Sequence, residues 1–106
     1  MSIIKVSARS RTASVAGAVA GVMREAGRAE VQAIGAGAVN QAVKAIIIAG
    51  GYLAEEGTYI ACIPSFVEVA IDEQERTAIR FLVESRDNLS EVNADDYRGA
   101  LWHEED

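Results

Sequence analysis

The residues of this chain best suited to chemistry are two arginines in a short loop, Arg9 and Arg11, and a glycine turn, Gly35-Ala36-Gly37. The chemistry they suit is electrostatic. Glycine leaves backbone N–H groups uncovered, and the first turn of a helix carries partial positive charge, so a glycine turn that opens a helix favours an anion such as phosphate. Lys44 falls inside the helix expected after the turn, and no acidic residue occurs between Val31 and Leu53. Asn40, near the start of that helix, is a polar side chain beside the turn. Residues i and i+2 of an extended segment project to one side, so Arg9 and Arg11 can address one run of phosphates together. Lys5 adds to the field from the end of the preceding strand.

Each feature also has a plain structural explanation. Arg9 and Arg11 are equally two solvated charges in a surface loop. The glycines serve a tight strand-to-helix turn whatever else they do. Asn40, Gln41 and Lys44 fall on the outward side of the helix, where polar residues belong by default. A dinucleotide fingerprint is excluded, because the position that would need its third glycine holds Asn40.

Enzymatic readings are thin. Cys62 sits between Ala61 and Ile63 in an apolar strand, which describes a buried, inert thiol. Ser10, Ser14 and Ser65 have no histidine base within the main body, since the only histidine is His103. Glu55, Glu56 and the acids between Asp72 and Glu75 lack apolar surroundings that would raise a carboxyl pKa for acid catalysis. No metal-ligand spacing occurs, so neither an enzyme, a metal nor a cofactor is expected.

Net charge is −6, but it is segregated. Residues 1–49 hold six basic residues against two acids, a net +4. Residues 50–86 hold three against seven, and residues 87–106 hold one against seven. A local field follows the local patch rather than the total. One small body with a basic face and an acidic face is the expectation. At 106 residues the chain can bury one modest core. No apolar run approaches the ~20 residues of a membrane span. Met1–Ser10 lacks a long apolar stretch, so no signal peptide is read, and a single cysteine suits a reducing cytoplasm.

The elements that must position these residues follow from periodicity. Ile3–Ser7 reads as a strand and Ala8–Thr12 as a basic loop, with Ser10 or Thr12 available to cap the next helix. Ala13–Ala26 reads as a helix that buries Val15, Val19, Val22 and Ala26 and stops at Gly27. Gly17 and Gly21 within it imply close backbone approach, since each costs about 1 kcal/mol in a helix interior. Val31–Ile34 reads as a strand. Ala38–Ala49 reads as a helix with Val39, Val43, Ile46 and Ile47 on its buried side, ending at Gly50-Gly51. Thr58–Phe66 reads as a strand placed at an edge by Pro64. Glu68–Gln74 reads as a polar arm or loop, and Thr77–Ser85 as a last strand with Ile79, Phe81 and Val83 on one face. The order is β-α-β-α-β-β. It implies an α/β (α+β) sandwich, two helices on one side of a four-stranded mixed sheet.

The segments IKVSARSRTASVAGAVAGVMRE, AEVQAIGAGAVNQAVKAIIIAGGYL and CIPSFVEVAIDEQERTAIRFLVE closely resemble the stage V sporulation protein S family over about Ile3 to Arg86. That family is similar in turn to the Alba type of small chromatin and RNA-binding domain. The resemblance implies a nucleic-acid-binding regulatory protein acting on DNA or RNA. It places Arg9 and Arg11 in a first contacting loop, Gly35, Ala36 and Gly37 in a second, and Val67–Arg76 in a hairpin arm. The arm here is acidic, with Arg76 its only basic residue. The alternative is an adaptor that docks onto protein through the same fold and its acidic segments. With three basic contacts per protomer, the salt slope would be only roughly −2.7, so a dimer would bind appreciably better.

Two expectations lie outside the phosphate site. The run Ala45-Ile46-Ile47-Ile48-Ala49 is apolar all round, which implies an isologous homodimer through this helix, with Ile48 at the contact. Residues 87–106 read as an acidic extension beyond the domain of residues 1–86. Within it, Tyr97, Leu101 and Trp102 share one face of a short helix that would dock through Trp102 and compete with phosphate.

Overall fold

A computed structural model describes residues 3–86, and the expectations for residues 87–106 lie outside them. The elements are β1 (Ile3–Val6), α1 (Thr12–Ala26), β2 (Arg28–Ala33), α2 (Ala36–Glu55), β3 (Ile60–Ile71) and β4 (Gln74–Ser85). They form one four-stranded sheet in the order β1-β2-β4-β3. β1 is parallel to β2, while β4 is antiparallel to both of its neighbours. The β-α-β-α-β-β order and the mixed sheet agree with the sequence reading, and β3, with Pro64, is indeed an edge strand.

Both helices cover the same side of the sheet. Val6, Ala29, Val31, Ala33, Phe81 and Val83 are buried, and in each strand these alternate with residues of the other face. Right-handed β-α-β crossovers in one direction across a sheet put both helices on that side. Among the described residues, the opposite face of the sheet carries no helix.

α1 runs from Thr12 and ends at Gly27, which adopts φ 75° and donates its N–H to the Met23 carbonyl at 2.8 Å. Its buried residues are Val15, Ala16, Val19, Ala20 and Met23, whereas Ala26 is exposed. Close approach does not explain Gly17 and Gly21. A Cβ built on either has no neighbouring atom within 4 Å. Gly17→Ala and Gly21→Ala are therefore expected to stabilise the fold by about 0.5–1 kcal/mol each, raising Tm by a few degrees in a thermal melt. A loss of stability in either variant would show that another surface seats on α1.

α2 departs furthest from the sequence reading. It starts two residues earlier, at Ala36, and passes straight through Gly50-Gly51 to Glu55. Two interior glycines cost about 2 kcal/mol. Burial of Leu53 in the next turn is worth about 1.5–3 kcal/mol, and Ala54 adds to it, so the helix continues. It stops at Gly57, φ 84°, with the Thr58 N–H bonded back to the Leu53 carbonyl at 2.9 Å. The buried side is an alanine stripe, Ala38, Ala42, Ala45 and Ala49, joined by Ile46 and Leu53. Val43 and Ile47, read above as core, are 38% and 45% exposed. Small side chains let α2 lie close to α1 and the sheet, and that proximity fixes the buried face. Arg24 at the end of α1 ties down Glu56 at the end of α2, with Nη2 and Oε2 2.7 Å apart. That hydrogen bond, aided by the opposite charge, holds Glu56 below the usual carboxylate range.

β3 and β4 run on past the rest of the sheet as a hairpin arm, paired without interruption to Ile71↔Gln74. The segment read as a polar arm or loop is therefore ladder to its tip. Asp72 and Glu73 make the two-residue turn, with φ of 51° and 65°. Positive φ at both positions is the mirror-image turn whose twist matches the flanking strands.

Candidate nucleic-acid interface

Two helix N-termini converge where the parallel strands β1 and β2 end. The β1–α1 loop is knotted on itself. The Ser7 N–H donates to Ser10 Oγ at 2.9 Å, the Arg9 N–H to Ser7 Oγ at 3.2 Å, and the Ser10 N–H to the Ser7 carbonyl at 3.0 Å. Ser10 thus serves the loop rather than capping α1, whose N-cap is Arg11 with no side-chain cap. This turn also replaces the extended segment assumed for Arg9 and Arg11. The two arginines remain neighbours on one short loop, both exposed, but by turn geometry rather than by strand alternation.

The glycine turn lies against that loop. A Cβ on Gly37 would come within 2.9 Å of Ala8 Cβ, closer than side chains tolerate, so only glycine lets the loop and the first turn of α2 meet. Gln41 adds a bond between them, Nε2 donating to the Ser10 carbonyl at 2.8 Å. Gly35 is the N-cap of α2 at φ 92° and ψ 155°, a region essentially reserved for glycine, and it provides no side-chain cap. The first intrahelical bond comes from Val39 to the Gly35 carbonyl. Gly35, Ala36 and Gly37 are exposed, and neither helix has an acid in its first turn. Arg9, Arg11, Gly35, Ala36 and Gly37 are thus brought to one end of the fold, where the field of both helices favours an anion.

The remaining candidates are placed differently. Because α2 starts at Ala36, Asn40 lies in its second turn and is exposed. Lys44 is eight residues beyond Ala36, about 12 Å along the axis, and half-buried. Lys5 is exposed on the helix-free face of the sheet. It pairs with Gln32, which pairs with Arg80, so the three share one row of that face. Arg80 is a basic neighbour the sequence reading did not single out. Its signal was available, since Arg76, Arg80 and Glu84 alternate with the core-facing Ile79, Phe81 and Val83 side of the strand.

Cys62 lies half-buried on edge strand β3, where burial pushes its thiol above the ordinary value. Among the described residues, no group of three His, Cys, Asp or Glu side chains could hold a metal ion, and no helix is long and apolar enough to cross a membrane. A family model described as Stage V sporulation protein S (SpoVS) matches residues 2–86.

Proposed function

The chain belongs to the stage V sporulation protein S family, and from that premise we propose that it is a small, non-enzymatic regulatory protein of the cytoplasm that binds nucleic acid, DNA or RNA. One observation carries the reading. Two uncapped helix N-termini meet beside Arg9 and Arg11 with no acid in either first turn. Phosphates would sit on Arg9, Arg11 and the Gly35–Gly37 turn, with Lys5, Asn40 and Lys44 contributing at its margins. Titrating labelled DNA and RNA at two salt concentrations tests this. Three contacts per protomer give a slope near −2.7 in log K against log salt, and a dimer presenting two such ends roughly doubles it. Absence of binding to either at 50 mM salt would leave the adaptor reading in its place.

A second observation favours a protein contact as well, and we assign it to a second copy of the chain. Val43 and Ile47, at i and i+4, form an exposed flank of α2. Phe66 on β3 is 76% exposed, and its row in the sheet, Phe66↔Ile79 then Ala33, places it on the helix side. Three large apolar side chains left open on one side of a small domain fit an isologous homodimer. Ile48, the contact expected from sequence, is instead half-buried against the core. Ile47→Lys combined with Val43→Lys should give a folded monomer by light scattering, whereas Ile48→Lys should destabilise the fold. A double variant with wild-type mass would place the interface elsewhere.

A further inference from the structure

Strand alternation sorts the charges of the hairpin arm. β3 and β4 keep one register from Ile60↔Ser85 to Ile71↔Gln74, so paired residues share a face along the whole arm. The helix side receives Glu68 with Thr77 and Ala70 with Glu75, and Asp72 and Glu73 occupy the turn. The helix-free side receives Ser65 with Arg80, Val67 with Ala78, and Val69 with Arg76. An arm that is acidic in sequence therefore presents its one cation, Arg76, on the same face as Lys5 and Arg80.

A groove lies where that face meets the ends of β1 and β2. Val69 and Ile71 of the arm, with Lys5, Ser7, Gln32 and Ile34 from β1, β2 and the segments that follow them, line a cleft of about 340 Å³. Its walls are mostly apolar, and Lys5 is the cationic residue among them. Gln32 is fixed by donating Nε2 to Glu30 Oε2 at 3.0 Å, which leaves its amide oxygen as an acceptor. Glu30 and Glu84 lie on this face toward the opposite end, Glu84 beside Arg86 at 3.5 Å. The positive stretch is the arm-side half. Lys5 and Arg80 stand two strands apart, about 10 Å, and Arg80 and Arg76 four residues apart, about 13 Å.

We propose that the helix-free face of the sheet is a track for single-stranded nucleic acid, with an unstacked base in the cleft and the adjoining phosphates on Arg80 and Arg76. The proposal rests on the nucleic-acid reading above and names its substrate class. A duplex keeps its bases stacked and offers an aliphatic cleft nothing, whereas a single strand can turn a base into it. The cleft opens beside Ser7 and Ala8, so the track runs on to the Arg9 loop and its phosphate contacts. The described face has no aromatic residue in its Lys5, Gln32 and Arg80 row, so apolar contact and phosphate charge, rather than stacking, supply the preference.

Fluorescence anisotropy with a labelled 12-nucleotide strand and the matching 12-base-pair duplex tests it, using the full chain. Variants are Arg76→Gln/Arg80→Gln, Val69→Trp to fill the cleft, and Arg9→Gln/Arg11→Gln, each checked for fold by circular dichroism. The strand should bind at least tenfold tighter than the duplex. Loss of Arg76 and Arg80 should cut strand affinity on the order of 25-fold at 0.1 M salt and its salt slope by about 1.4, with duplex affinity changed less than twofold. Val69→Trp should weaken the strand alone. Equal binding of strand and duplex, or an unchanged slope in the Arg76/Arg80 variant, would overturn the track while leaving the Arg9 and Arg11 site standing. No binding of either form at 50 mM salt would overturn both.

Discussion

Replacing Arg9 and Arg11 together by glutamine is expected to weaken nucleic-acid binding on the order of 50-fold at 0.1 M salt and to reduce the salt slope by about 1.8 on a duplex. Both side chains are exposed on a loop held by its own serine hydrogen bonds, so the variant should keep the wild-type melting temperature. Surface substitutions of this kind are usually worth within about 0.5 kcal/mol of stability. A merely solvated pair of charges predicts something else, a small and uniform loss from the change in net charge with no change in slope. The slope decides between them, because it counts phosphates neutralised rather than overall charge. Measured against Arg24→Gln, which removes one cation engaged with Glu56 at the far end of the helices, the comparison separates position from charge.

Leu53→Ala is expected to be the most destabilising single truncation in the domain, by about 2–5 kcal/mol in a urea melt. Leu53 is 1% exposed and the largest of the fully buried side chains. It lies in the part of α2 beyond Gly50-Gly51, so losing it removes much of what carries the helix through those glycines. Against a typical total of about 5–15 kcal/mol, such a loss leaves a domain of this size marginal. Ile47→Ala, at 45% exposure, should cost the monomer under about 0.5 kcal/mol. If the two truncations cost the same, α2 is not seated on its alanine stripe.

The hairpin arm shows how legibility was lost and recovered. Val67, Val69 and Ile71 alternate with Glu68 and Ala70, which is a strand signal, yet the run of acids after them suggested a loop. The tip is Asp72-Glu73, without the glycine that usually marks a mirror-image turn, so local turn chemistry gave no warning of a continuous ladder. In α2 the misreading came from apolarity itself. Val43 and Ile47 outrank alanine on any hydrophobic scale, so the apolar period of the segment points the helix toward them.

What the amino-acid order determined by itself was a set of features that depend on near neighbours. The element order, the stop of α1 at Gly27, the edge position of the Pro64 strand and the segregation of positive charge into the first half all follow from local rules of dihedral, period and composition. The placement of Arg9 and Arg11 in the β1–α1 loop and of Gly35–Gly37 at the start of α2 was legible for the same reason. Tertiary structure alone decided that the loop and the turn meet, through the missing Cβ of Gly37 against Ala8. It also decided that the alanine stripe rather than Val43 and Ile47 faces the core, and that Arg76 and Arg80 join Lys5 while Glu68 and Glu75 take the other side. These are properties of packing distance and strand register, set between residues far apart in the chain. A residue type states how much burial would stabilise it, whereas the available space and the pairing partner are fixed only when the sheet and helices close on one another.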